Sequence, residues 1–493
     1  MQSIGNVSQK AIETIEISKK DEVFLKISCE AGIAQELCDY FTFTVPGHTF
    51  MPAYRMKIWD GKIRLFNIHN RLLYSGLLEY VFIFAEKRDY EVKPDGDWWK
   101  PRKIEKNEKF LENLKLPFAP RDYQFEGFHH ALSYKKSLLV SPTASGKSLI
   151  IYLIVRALNV KTLIIVPTTS LVSQLYADFQ EYGWDSAKYC HQVYAGQDKV
   201  SDKQVVISTW QSIYKLGKKI FEPYKLVVGD EAHGFKSKSL TSIMTKCVNA
   251  EYRIGTTGTL DGTQTHKLVL EGLFGKVYKV TSTAKLIDRK QLAPFRVDII
   301  ILKYPDVICE QFRKIKYADE LEFIVGHEKR NKYIRNLVLS LKGNTLLLFR
   351  LVKKHGRILY DMIKEKTNDN RKTFFVFGGT ETETREQIRA IAETEQDAII
   401  VASYGVFSTG INIRNLHNIV FSSPSKSRIR NLQSIGRGLR LSDTTDKTTL
   451  YDIADDLRWK NRKNYAYRHH EDRIKIYDEE KFPYKIHNIS LKV

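Results

Sequence analysis

Short apolar runs alternate with amphipathic stretches through most of the chain. Residues 138–140, 163–166, 205–208, 226–228 and 253–257 read as buried strands, and helical patterns fill the gaps between them. That cadence predicts a parallel α/β sheet. A second series repeats it at 345–349, 374–377, 398–402, 419–422 and 449–453. Residues from about 285 to 330 read as a connector containing a strand over 295–302. Before residue 90 the pattern changes. Alternation at 22–27 and 41–45 predicts short strands, and 30–40 an amphipathic helix. Alternating runs on either side of Asp60-Gly61 predict a β-hairpin there. The expected organisation is an α+β accessory domain over 1–90, parallel-sheet lobes over 91–284 and 285–455, and a basic tail over 456–493 packed on the second lobe.

The first strand of the first series runs into Ser141-Pro-Thr143-Ala144-Ser145-Gly146-Lys147-Ser148, and an apolar helical pattern follows. Strand, small-residue loop, Gly-Lys-Ser and helix form the phosphate cradle of P-loop NTPases. Backbone N–H groups and the helix N-terminus there present partial positive charge to phosphates. Lys147 adds a full charge, and the Ser148 hydroxyl suits Mg²⁺. The loop opens with Ser141 where the general pattern has glycine.

Another strand ends in Asp230-Glu231-Ala-His233. Asp230 stands where such a fold needs a carboxylate for Mg²⁺, and Glu231 suits a base that polarises water. Thr257-Gly-Thr259 ends the next strand with hydroxyls able to reach His233. Arg121 and Gln124 precede the P-loop strand; a glutamine amide can read an adenine edge and an arginine can pack on the base. A purely structural role for this pair stays equally open.

Two further loops offer hydroxyls and helix starts to a nucleic-acid backbone: Pro167-Thr168-Thr169 and Thr209-Trp210-Gln211, the latter with an indole for stacking. Helix capping alone also explains their hydroxyls. In the second lobe, Ser408-Thr409-Gly410 suits either a nucleotide cleft or a strand-binding groove. Gln433-x-x-Gly-Arg437-x-x-Arg440 places two guanidiniums on one helix face, as an arginine finger requires.

Composition narrows the partner. With 78 Lys and Arg against 57 Asp and Glu, the formal charge is +21, which favours a polyanion. Hydrophobic residues at 43% exclude a disordered chain. Cys29, Cys38, Cys190, Cys247 and Cys309 show neither disulfide nor zinc spacing, which fits a reducing cytoplasm. The sequence holds no membrane-length apolar run and no signal-peptide pattern. Arg55, Trp59, Lys62 and Arg64 interleave cations with an aromatic around Asp60-Gly61. They suit nucleic-acid binding; a structural hairpin with solvated charges is the alternative. The basic, aromatic stretch 458–470 either extends a DNA track or packs as a helix.

Taken in order, Gln124, Ser141–Ser148, Pro167–Gln174, Asp230–His233, Thr257–Thr259, Phe349-Arg350, Ser408–Asn412 and Gln433–Arg440 resemble the motifs of superfamily-2 helicases. The 59–65 and 70–73 stretches, with 401–411, are similar to UvsW-type phage helicases. The resemblance implies two tandem RecA-like domains, ATP and Mg²⁺ as cofactors, and ATPase roles for Lys147, Ser148, Asp230, Glu231, Gln433, Arg437 and Arg440. It implies nucleic-acid contacts by Arg350, Ser408 and Thr409. It further implies monomeric remodelling of branched or forked DNA, duplex and single-stranded, and of RNA–DNA hybrids, inside an infected bacterial host. Asp-Glu-Ala-His also occurs in RNA helicases, so an RNA-directed remodeller and an ATP-gated strand-annealing protein remain alternatives.

Overall fold

A computed structural model of the chain describes residues 13–104, 108–194, 196–367, 371–409, 413, 415–425, 427, 432, 434–436 and 447–491. The chain divides into two compact units, one built from residues 1–140 and 146–280 and the other from 141–145 and 281–493.

Besides a two-stranded pair, the described residues of the first unit hold two sheets. The smaller orders its strands Phe66–Asn67, Leu72–Tyr74, Phe24–Ser28, Thr14–Lys19 and Glu91–Pro94. Its last strand pairs in parallel with Thr14–Lys19, so this module takes in residues beyond the expected boundary at 90. The expected hairpin at Asp60-Gly61 is absent as drawn. Lys62–Arg64 pairs antiparallel with Thr42–Thr44, and Pro52–Arg55 is a short helix. Asp60 instead accepts the Lys62 N–H at 3.0 Å, an Asx-type turn that needs no partner arm.

The larger sheet of this unit has seven strands, all parallel. They are ordered Cys190–Val193, Val205–Thr209, Thr162–Val166, Leu226–Asp230, Tyr252–Thr257, Lys136–Val140 and Val277–Lys279. Thr162–Val166 and Tyr252–Thr257 are buried along their whole length, the pattern of strands covered on both faces. The helix Lys147–Leu158 is buried continuously from Leu149 to Val155.

The accessory module and this sheet share one hydrophobic core. Leu25, Leu73, Leu77 and Phe84 belong to the same buried cluster as Leu138, Leu163, Phe235 and Phe274. At Gly76 the two parts approach so closely that a Cβ would lie 1.9 Å from the Glu271 carbonyl oxygen. Polar ties reinforce the seam. Tyr80 donates to the Glu271 carboxylate at 2.7 Å. Lys136, at the start of the P-loop strand, donates to the Glu22 carbonyl and to Ser75 Oγ, both at 2.9 Å.

The second unit carries another seven-stranded parallel sheet. Its order is Thr373–Val376, Ile399–Ser403, Thr345–Phe349, Asn418–Phe421, Thr448–Asp456, Phe295–Lys303 and Tyr484–Ser490. The strand expected over 295–302 is Phe295–Lys303 of this sheet. The tail is more than a helix laid on the lobe: Tyr465–Glu479 is helical, and Tyr484–Ser490 then pairs with Phe295–Lys303. Glu320 accepts hydrogen bonds from the Tyr465 and Ala466 N–H groups, fixing the start of that helix. Among the described residues no helix is long and apolar enough to cross a membrane.

Candidate nucleotide and nucleic-acid sites

Parallel pairing brings the carboxyl ends of the first unit's strands to one edge, where open α/β sheets bind ligands. Register aligns Thr257 with Val140 and Asp230 with Thr256. The P-loop and the two acids therefore lie on neighbouring strand ends, with Tyr252–Thr257 between them.

The P-loop is shaped by hydroxyls and by left-handed backbone. Ser141 Oγ donates to Ser145 Oγ, and Ser145 Oγ to the Pro142 carbonyl, both at 2.6 Å. Both serines are buried, so the departure from glycine at Ser141 serves as an internal brace of the loop. Ala144 has φ of 65° and Gly146 a φ of 77°. A Cβ at Gly146 would meet Gln124 Nε2 at 2.2 Å. Only glycine fits that turn while leaving the helix N-terminus at Lys147 open.

Asp230 Oδ1 accepts from Thr256 Oγ1 at 2.7 Å. Burial raises the Asp230 pKa and the neighbouring Glu231 charge raises it further, while Lys147 and the Thr256 bond oppose them. Two crowded carboxylates facing a lysine suit a divalent cation that a hydroxyl and a carboxylate help to hold. Among the described residues no group of three or more His, Cys, Asp or Glu forms a metal cage. Ser148 Oγ lies 2.9 Å from the Tyr182 hydroxyl. Burial pushes the Tyr182 pKa up to about 12, so this partner stays protonated.

Glu231 itself has φ of 50°, a left-handed conformation that costs about 1–2 kcal/mol outside glycine. Such strain is retained where it aims a side chain. Its carboxylate lies 3.4 Å from His233 Nδ1. His233 Nδ1 is also 3.1 Å from Thr257 Oγ1, the contact anticipated from sequence. Thr257 donates its own proton to the Thr259 carbonyl, so Nδ1 of His233 is the protonated nitrogen.

Comparison with known proteins decides the family. Models described as "DNA helicase UvsW, N-terminal", "Type III restriction enzyme, res subunit" and "Helicase conserved C-terminal domain" match residues 14–95, 105–262 and 329–442. ATP-dependent DNA helicase uvsW of Enterobacteria phage T4 is 33% identical over 510 positions, covering 97% of this chain and 100% of the relative. The chain belongs to the UvsW family of superfamily-2 DNA helicases. The crystal structure of T4 UvsW aligns at 32% identity and a TM-score of 0.50, over 97% of this chain and 100% of that one. DNA 3'-5' translocase XPB2 of Sulfurisphaera tokodaii is 25% identical, over 69% of this chain and 84% of its own. The protein is accordingly an ATP-dependent DNA helicase, and the family's use of ATP accounts for the P-loop.

In this UvsW-family chain the remaining sequence candidates divide by exposure. Gln124 is buried and its Oε1 accepts the Arg121 N–H at 2.8 Å. Arg121 donates to the Tyr123 hydroxyl at 2.9 Å. Both thus brace the approach to the P-loop. Thr168 caps the helix Thr169–Glu181 by accepting from Leu171 N–H, and Thr209 Oγ1 pairs with Ser212 Oγ at 2.9 Å. The Thr168 hydroxyl follows the capping alternative, whereas that of Thr209 makes no cap bond. The Trp210 indole is half-buried against the core and packs edge-on against Tyr214, 5.7 Å between ring centres. Thr169 and Gln211 are exposed, and Gln211 Nε2 donates to the Pro167 carbonyl, tying the two loops together.

Arg350 is exposed at the end of Thr345–Phe349 and donates to the Tyr317 hydroxyl at 2.7 Å. In the accessory module Trp59 Nε1 donates to the Lys62 carbonyl, and Arg64 pairs with Asp60 at 2.5 Å. Arg55 Nε donates to the Thr49 carbonyl. Ser408 and Thr409 lie in the helix Tyr404–Thr409, with their side chains outside the described set. Gly410, Gln433, Arg437 and Arg440 lie outside the described residues. Sequence reading overlooked Thr256, Tyr182 and the Ser141–Ser145 brace. Thr256 alone left a trace, as a hydroxyl at the strand end beside Thr257.

Proposed function

We propose that this helicase couples ATP hydrolysis to remodelling of branched DNA: fork regression, Holliday-junction branch migration and unwinding of R-loops, in phage replication, recombination and repair within the host cell. The observation that carries this reading is the continuous core joining the accessory module to the P-loop sheet. Whatever the module grips moves with that sheet, as displacement at a junction requires.

In this reading Lys147 and the loop N–H groups hold the β- and γ-phosphates, while Ser148 and Asp230 help to hold Mg²⁺. The ion supplies charge neutralisation at the transferring phosphoryl group. Glu231 orients and deprotonates the attacking water, and His233 ties that carboxylate to Thr257. Arg437, Arg440 and Gln433 take the γ-phosphate-sensing roles of the family's Gln-x-x-Gly-Arg-x-x-Arg motif. Thr169, Gln211 and Arg350, with the neighbouring Pro167, Thr168, Thr209, Trp210, Ser408 and Thr409, line the strand path. Phosphate contacts dominate, so binding tolerates sequence and weakens steeply with salt.

The test measures ATP hydrolysis and strand displacement on a fork, a four-way junction and a plain overhang, with wild type and Lys147→Ala. Preferential turnover on branched DNA, lost in the variant, is expected. Stronger stimulation by structured RNA would select the RNA-directed alternative. ATP binding without phosphate release would select the gated annealer. Deleting residues 1–90 is a poor test, because it would strip part of the core shared with the P-loop sheet.

A further inference from the structure

The accessory module carries an apolar surface that packing leaves uncovered. Within residues 50–58, Phe50 is 76% exposed, Ile58 73%, Met56 63% and Met51 41%. Elsewhere among the described residues exposed large hydrophobics are scattered, so this concentration calls for a ligand. The segment is no frayed loop. Its base is closed by the pairing of Thr42–Thr44 with Lys62–Arg64 and by the Val45 N–H donating to the Gly61 carbonyl at 2.8 Å. His48 packs edge-on against Tyr54, 4.5 Å between ring centres. The Trp59 indole is pinned by its bond to the Lys62 carbonyl.

Between these rings lies an open hollow of about 880 Å³, lined by Thr49, Tyr54, Arg55, Lys57, Ile58 and Trp59 together with Asp60. Two cations line it, Arg55 and Lys57, against one acid, Asp60, which the nearby Arg64 pairs. A hollow that sets Tyr54, Ile58 and Trp59 beside Arg55 and Lys57 matches a base attached to a phosphodiester: the base meets the rings and Ile58, and the phosphates meet the cations.

We propose that the 48–60 segment docks an unpaired or end-exposed nucleobase at a DNA branch point, with Ile58 of the hollow and the exposed Phe50, next in the chain to the lining Thr49, against the base and Arg55 and Lys57 on its flanking phosphates. This rests on the reading that the accessory module contacts DNA, and it names the element recognised: an unstacked base in place of continuous duplex. The hollow thereby gives the module a reason to prefer junctions, since a perfect duplex offers no free base face.

The test uses the full chain and a fork carrying 2-aminopurine as its first unpaired base. Wild type is expected to change the 2-aminopurine fluorescence on binding. The double variant Phe50→Ser with Ile58→Ser is expected to abolish that change and to weaken fork binding about tenfold or more, while duplex binding stays within about twofold. Both side chains are exposed, so thermal unfolding should be unaltered, and Phe50→Trp should keep the signal. An unchanged fluorescence response and fork affinity in the double variant would overturn the inference. Arg55→Ala with Lys57→Ala separates the two levels. If this charge variant weakens fork and duplex binding alike while the apolar variant changes nothing, the module contacts DNA without docking a base. If neither variant changes DNA binding, the underlying reading falls as well.

Discussion

At the carboxyl ends of the first large sheet, the chain turns through left-handed backbone at Ala144 and Glu231 and places Lys147 near crowded acids. The second large sheet, equally parallel and also seven-stranded, puts its charges to another use. On Thr448–Asp456, the fully buried Asp455 accepts Arg330 Nε at 2.6 Å and Nη2 at 3.0 Å, and Tyr304 donates to it at 2.9 Å. Three positions earlier on the same strand, Asp452 accepts from Arg473 and Tyr477. One sheet keeps charge and strain available; the other neutralises charge internally. The same architecture thus supports chemistry in one unit and rigidity in the other, and the difference lies in a few side chains rather than in the fold.

The largest effect should come from breaking the second pattern. Arg330→Met strands a buried carboxylate and is expected to lower stability by about 3–5 kcal/mol, measured by urea unfolding. Lys147→Ala should do the opposite: DNA-stimulated ATP turnover falls about 10²–10³-fold while unfolding barely moves. A stability loss as large as that of the Arg330 variant would erase the contrast.

The seam between module and sheet gives a pH signature. Burial lowers the Lys136 pKa from 10.5 to about 8, with the Glu22 charge opposing. Below about 8 folding carries the full cost of a desolvated charge. Between the two values the unfolded chain holds more protons, so stability rises with pH. Relative to Lys136→Met, wild type should gain about 1–3 kcal/mol across that window in denaturant titrations.

Thr256→Val removes the donor that orients Asp230; about tenfold lower turnover is expected, with the Mg²⁺ requirement shifted upward. The smallest effect belongs to Ser141→Ala. Loss of the loop brace should cost about 1 kcal/mol in stability and weaken nucleotide binding several-fold by equilibrium titration. No change in either quantity would show that the loop holds its shape without the serine pair.

In the two large sheets, the strands that sequence reading missed have a common cause. Cys190–Val193, Val277–Lys279 and Tyr484–Ser490 all lie at sheet edges. Edge strands are held by backbone pairing on one side and bury less, so the apolar signal fades; Tyr484–Ser490 is exposed along nearly its whole length. Central strands such as Thr345–Phe349 are buried throughout and were legible to the residue. The hairpin at Asp60-Gly61 failed for a related reason. Alternation marks a strand without naming its partner, and the partner of Lys62–Arg64 is Thr42–Thr44, across the excursion that carries the exposed apolar surface.

Sequence alone determined the parallel-sheet cadence, the P-loop and the Asp230–Glu231 pair, because local periodicity and fixed spacing encode them. Only the tertiary structure decided which hydroxyls are structural, as with Thr168 and Ser141, and that the accessory module shares a core with the P-loop sheet. Those outcomes depend on residues far apart in the chain competing for the same buried space and the same hydrogen-bond partners, and no stretch of sequence holds both competitors.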